Sequence, residues 1–131
     1  MIGLDTNVLV RYLVQDDEAQ AAAASKVIES LSATERGFVS LLALAETTWV
    51  LTRSYHLGRP AVAEIIDRLL GLPELVVERH DLAVRAAVAL RDGADFSDAL
   101  IERAGDEAGC AHTVTFDRGA SARAGMRLLS W

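Results

Sequence analysis

Asp5, Glu46, Asp98 and Asp117 are carboxylates set in sequence that is otherwise largely apolar. In Phe38 to Leu51 (FVSLLALAETTWVL) Glu46 is the only ionisable side chain, and in Met1 to Val10 (MIGLDTNVLV) Asp5 is the only one. A carboxylate in a dry setting must be protonated, paired or bound to a cation, because an unpaired buried charge is strongly destabilising. Neither run contains a Lys or Arg to neutralise its acid. Four such acids brought together would suit a hard, oxygen-loving divalent cation such as Mg²⁺ or Mn²⁺. A cation held that way lowers the pKa of water and offsets charge developing on a phosphoryl oxygen, the two needs of phosphodiester hydrolysis.

The surrounding sequence predicts how the acids are positioned. Ile2 to Leu4 reads as a short buried strand, after which Asp5-Thr6-Asn7 offers side-chain caps for a helix through about Val14. Asp16-Asp17-Glu18 starts an Ala-rich helix through Leu31, its acids suited to the positive N-terminal dipole. Gly37 to Val39 is a second strand, and Ser40 caps an apolar helix running to about Ser54. Gly58 and Pro60 separate it from a helix over roughly Ala61 to Leu70, and Pro73 precedes a third strand at Leu75 to Val77. Asp81 is expected to cap a helix to Arg91, with a break at Asp92-Gly93. Asp95-Phe96-Ser97-Asp98 opens the next helix, which runs to about Ala108 and ends at Gly109. His112 to Phe116 is a fourth strand, and Met126 to Leu129 a fifth after a turn at Gly125.

Strands alternating with helices predict an α/β fold: one short, mostly parallel central sheet with helices on both faces, in a single domain over residues 1–131. Ligands in such folds collect beyond the carboxyl ends of the strands. Asp5 and Asp117 follow strands, Glu46 lies in the helix after the second, and Asp98 sits in a helix's first turn. All four are therefore expected to reach one rim.

Each acid also has a plainer reading. Asp5 is a natural helix cap, though Asn7 would serve equally, and Asp117 is an ordinary turn residue on local evidence. Glu46 has Leu42, Trp49 and Val50 as helical neighbours, so its face is expected to point toward protein, with a solvent-reaching or hydrogen-bonded Glu as the alternative. Asp95 and Asp98 are three apart at a helix start, which suggests Asp95 as the cap and Asp98 as the free ligand.

Composition narrows the rest. No apolar stretch is long enough to span a bilayer, and Met1 opens onto a strand-like run without a basic leader, so a soluble, cytoplasmic protein is expected. The single Cys110 cannot form an internal disulfide. A net charge of −6 argues against a passive, strongly basic nucleic-acid binder but not against a nuclease. The positive charge is carried by 12 Arg and only Lys26, and Arg holds two phosphate oxygens at once. Arg11, Arg53 and Arg118 lie near the acids in sequence and are possible RNA contacts, or equally solvated surface charges. His56, His80 and His112 share no paired spacing and are read as surface or structural.

Four segments in order, GLDTNVLVRYLVQDD (3–17), LALAETTWVL (42–51), DFSDALIERAGDEAG (95–109) and TVTFDRGASARAG (113–125), resemble the PIN-domain nucleases, and within them the VapC-type toxins of bacterial toxin-antitoxin pairs. The resemblance spans essentially the whole chain. It implies a metal-binding and catalytic quartet at Asp5, Glu46, Asp98 and Asp117, with Thr6, Asn7 and Thr115 in supporting positions. Asp5, Asp98 and Asp117 would bind Mg²⁺, with Mn²⁺ as a substitute, while Glu46 would bind through water or orient the attacking water. The implied reaction is endonucleolytic hydrolysis of RNA by water, leaving 5′-phosphate and 3′-hydroxyl ends. The implied partners are a cognate antitoxin that blocks the acidic rim and a second copy in a homodimer, which would cover part of the 51% of hydrophobic residues.

Two rival functions remain open at this level. An aspartyl-phosphate phosphatase would use Asp5 as nucleophile but wants a second acid two residues on, where Asn7 stands. A non-catalytic interaction module would keep the scaffold and bind only a partner protein.

Overall fold

The computed structural model describes all residues, 1–131. Three short strands, β1 (Ile2–Gly3), β2 (Gly37–Val39) and β3 (Leu75–Val77), form a parallel sheet in the order β1-β2-β3. Ile2 lies opposite Gly37, and Phe38 opposite Val76. Parallel neighbours need crossovers, and each crossover here is a helix pair. Helices α1 (Thr6–Val14) and α2 (Glu18–Glu29) join β1 to β2, and α3 (Leu41–Arg53) and α4 (Arg59–Leu70) join β2 to β3. Then follow α5 (His80–Arg91), α6 (Phe96–Glu107), β4 (Val114–Thr115), α7 (Arg118–Ala124) and β5 (Arg127–Leu128). The α/β class and the parallel pairing expected from sequence are both present.

Local chemistry explains most of the boundaries. Ser40 and Asp17 accept the backbone N–H groups of Ala43 and Gln20 at 3.0 Å each, satisfying donors that a helix start leaves free. Gly58 precedes α4 and Pro60 lies in its first turn, where a missing N–H costs nothing. Gly37 has a packing reason to be glycine: a Cβ there would meet side-chain carbons of Leu31, Leu4 and Leu75 at 2.8 to 3.0 Å. The middle strand therefore sits tightly beneath three leucines at the centre of the core. That core includes Leu9, Val39, Leu44, Leu51, Ile66 and Phe96, all essentially inaccessible to water.

Several expectations are corrected. The strands make two small sheets rather than one, because β4 and β5 pair only with each other, Val114 opposite Arg127. The fourth strand is two residues rather than His112 to Phe116. Between β4 and β5 lies a helix, α7, where only a turn was expected. It is held by Asp117, whose Oδ1 accepts the Ala120 N–H at 2.8 Å. Helix α5 starts before Asp81: Arg79 occupies the cap position in the left-handed region (φ 48°), and Asp81 pairs with its guanidinium instead of capping. Helix α2 ends at Glu29, two residues early, with Ser30 in the cap position.

Candidate functional site

Helices α3, α4, α6 and α7 together line a cleft of about 330 Å³. Its wall is made of Asp95, Ser97, Asp98, Asp117 and Gly119 on one part and Trp49, Arg53, Arg59 and Arg123 on another. Asp95 sits at the cap position of α6, and its Oδ1 accepts the Asp98 N–H at 3.0 Å. Its carboxylate is thus engaged, whereas the Asp98 side chain makes no hydrogen bond or ion pair and remains free to face the cleft. Asp95 is the helix cap expected from the three-residue spacing.

Asp98 is half-buried and its pKa is raised above the ordinary carboxylate value. Burial is the main cause, followed by the negative charges of Asp95 and Asp117, with Arg59 opposing them. Asp117, two residues after the end of β4, lines the same cleft while capping α7. Its backbone N–H donates to Thr115 Oγ1 at 3.0 Å. Gly119 lies under this carboxylate: an added Cβ would come within 3.1 Å of Asp117 Oδ1 and 3.6 Å of Arg123 Nη1.

Neither of the other two acids, Asp5 and Glu46, lines this cleft. Asp5 follows β1 and stands at the cap position of α1, but its side chain makes no capping bond. The carboxylate is therefore uncommitted, and the expectation of a side-chain cap there fails. Glu46 Oε1 accepts from Thr6 Oγ1 at 3.4 Å, a long bond that joins the middle of α3 to the start of α1 and brings Glu46 beside the residue that follows Asp5. Thr6 is buried, so its hydroxyl is a fixed support. Asn7 is exposed and lines a groove between α1 and α2 rather than the acidic cleft.

The expectation that Glu46 points into protein is overturned. Glu46 is exposed, and of its apolar neighbours Leu42 is 71% and Trp49 56% accessible. The apolar stripe that suggested burial is itself a surface stripe. Asp5 and Asp117 are also exposed and Asp98 is only half-buried, so the dry setting expected for the four acids is not found. None of the five acids joins an ion pair, although eight ion pairs occur elsewhere.

The donors suit a hard cation, but they do not form a closed cage. No group of three or more His, Cys, Asp or Glu side chains is arranged to hold a metal ion. Unpaired Asp98 and Asp117 on one cleft instead match what Mg²⁺ uses, one or two carboxylates with its remaining positions left to water and phosphate.

Of the arginines singled out in the sequence, only Arg53 lines the cleft, with its Cζ 6.0 Å from the centre of the Trp49 ring. Arg11 is committed elsewhere, to Asp16 at 3.0 Å, Gln20 at 2.7 Å and the Tyr55 hydroxyl at 3.3 Å. Arg118 is exposed at the start of α7 and does not line the cleft. Arg59, Arg123, Ser97 and Trp49 were not anticipated. Trp49 was findable, because it stands three residues after Glu46 on the same helical face. His80 bonds the Leu70 carbonyl at 2.9 Å, His56 and His112 are exposed, and none of the three lines the cleft. No helix is long and apolar enough to cross a membrane.

A family model described as PIN domain matches residues 2–125. No curated protein matches the chain.

Proposed function

The chain belongs to the PIN-domain family, whose members are in general metal-dependent nucleases, and from that premise we propose that it is a Mg²⁺-dependent endoribonuclease acting as a VapC-type toxin. The observation that carries this reading is the cleft in which unpaired Asp98 and Asp117 face unpaired Arg53, Arg59 and Arg123. Carboxylates and guanidiniums that share a cleft without pairing suit a ligand carrying both a cation and an anion. A metal-bound phosphodiester is such a ligand.

The metal, when bound, would activate water and offset the charge that develops on the phosphate. Asp98 and Asp117 would hold it directly, with Asp5 joining from the end of β1. Glu46, steadied by Thr6 Oγ1, would orient the attacking water. Asp95 keeps the first turn of α6 in register so that Asp98 stays free, and Thr115 does the same for Asp117. The arginines would fix the strand's phosphates. The phosphatase reading is weaker, because Asn7 faces the groove between α1 and α2 and not the cleft.

A cognate antitoxin and a second copy of the chain are the proposed protein partners. An apolar groove of about 390 Å³ on α3, α5 and α6, including Leu41, Leu42, Ala45, Leu82, Leu100 and Ile101, supports a protein partner beside the site. In a bacterium, induction of this chain alone should arrest growth, and Asp98→Asn should not. In a tube, single-stranded RNA with Mg²⁺ should yield 5′-phosphate and 3′-hydroxyl ends. Ends carrying 2′,3′-cyclic phosphate would refute the hydrolytic reading.

A further inference from the structure

Three of the nine residues lining the acidic cleft are arginines and one is a tryptophan. Arg53, Arg59 and Arg123 make no ion pair, whereas Arg11, Arg68, Arg85, Arg91 and Arg103 each make one and Arg79 makes two. The guanidiniums of Arg53, Arg59 and Arg123 stand in the same cleft as Asp98 and Asp117 without bonding to either, which leaves their donors open to an anion. Trp49 is 56% accessible and lines the cleft beside these arginines, so part of its ring is open to a ligand there. Arg53 stands over the ring with its Cζ 6.0 Å from the centre.

We propose that Trp49, Arg53, Arg59 and Arg123 form a nucleotide subsite, in which Arg59 and Arg123 hold a backbone phosphate and Trp49 stacks on one unpaired base. The strand taken is then single-stranded, because a base inside a duplex is already stacked on both faces and offers none to Trp49. The subsite rests on the nuclease reading for placing a nucleic-acid strand in this cleft. It deepens that reading by assigning the base contact to one residue, Trp49. Arg53 preorganises the ring, and Arg59 and Arg123, on different helices, contact the strand from two sides.

The test is a binding measurement in chelator, so that no cleavage interferes. In Trp131→Phe, Trp49 is the only fluorophore of its kind; Trp131 is exposed and packs edge-on against Phe116, a contact that Phe can keep. An eight-residue single-stranded RNA should quench Trp49 emission, duplex RNA of the same sequence should not, and single-stranded DNA reports whether the sugar matters to stacking. Quenching by single-stranded DNA also supports the subsite, since stacking needs only a free base. Trp49→Ala should weaken single-strand binding by about ten- to a hundredfold, and Trp49→Phe should recover most of it. Arg59→Ala and Arg123→Ala should each reduce the salt dependence of binding by about one phosphate contact. Equal quenching by duplex RNA, or unchanged single-strand affinity in Trp49→Ala, would overturn the subsite. So would emission that responds to protein concentration but not to RNA, which would mean that a protein surface covers Trp49. The two readings fail separately: quenching without any Mg²⁺-dependent cleavage keeps the subsite and removes the nuclease, while cleavage by Trp49→Ala with unchanged KM does the reverse.

Discussion

Asp95 Oδ1 accepts the backbone N–H of Asp98 at 3.0 Å, and this bond assigns different tasks to two aspartates on one helix turn. The first closes the helix start; the second has no partner and faces the cleft with its pKa raised, chiefly by burial.

Asp98→Asn should therefore lower RNA cleavage at least about a hundredfold, more than is usual for a residue that only supports a metal ligand. Asp95→Asn should keep most activity, because Asn caps as well as Asp, while Asp95→Ala should lose about 1 kcal/mol of stability. Cleavage rates and thermal melts of the three variants check the assignment, and the opposite ranking of the two Asn variants would refute it.

Gly119 lies close enough to Asp117 that a methyl group would press on its carboxylate, 3.1 Å away. Gly119 does not need a left-handed backbone, so Gly119→Ala should fold normally. Activity should fall by about tenfold, since small displacements of a reacting group are costly. A variant with wild-type cleavage would show that Asp117 need not hold its present position.

Thr6→Val keeps the shape of a buried side chain and removes the hydroxyl that reaches Glu46 at 3.4 Å. If Glu46 orients water through this support, kcat should drop while KM stays near the wild-type value. Combining it with Glu46→Gln should then add little further loss. Full additivity of the two changes would mean that they act independently.

The pH dependence of stability has a clear source away from the site. The Tyr55 hydroxyl donates to Asp16 at 2.8 Å, and this bond, with the nearby Arg11, lowers the Asp16 pKa below its ordinary 3.8. The folded state thus binds fewer protons at Asp16 than the unfolded chain does, and stability rises with pH through that range. Wild type should melt higher than Asp16→Asn at neutral pH, with the full gap above 3.8 and its loss as pH falls through the lower folded value. Melts from pH 7 into the acid range would reveal it; a gap that persists unchanged in acid would contradict it.

How much of this was legible in the sequence depended on whether a signal was local. The α2, α3 and α6 starts were readable because Asp17, Ser40 and Asp95 stand where a cap must, and the Asp95/Asp98 division followed from a spacing of three. Helix α7 was missed because Gly119 and Ser121 are weak helix formers in a seven-residue segment, held largely by one cap bond. Periodicity correctly put Leu42, Glu46 and Trp49 on one face of α3 but could not say whether that face was covered or bare. Arg59 and Arg123 join Asp98 only through folding, from positions 39 and 25 residues away in the chain, so no local pattern could reveal them. The same holds for Arg11, whose nearness to Asp5 in sequence hid its commitment to Asp16 and Tyr55.

Titration of Mn²⁺ into the wild-type chain and into Asp98→Asn/Asp117→Asn, with RNA cleavage followed at each concentration, tests the central claim most directly. The wild type should bind the cation and gain cleavage over the same concentration range, and chelator should abolish both. The double variant should bind far more weakly and cut no RNA while its fold, measured by circular dichroism, stays intact. Cleavage that survives in chelator, or equal Mn²⁺ affinity in the double variant, would contradict the claim that these two carboxylates hold the metal for RNA hydrolysis.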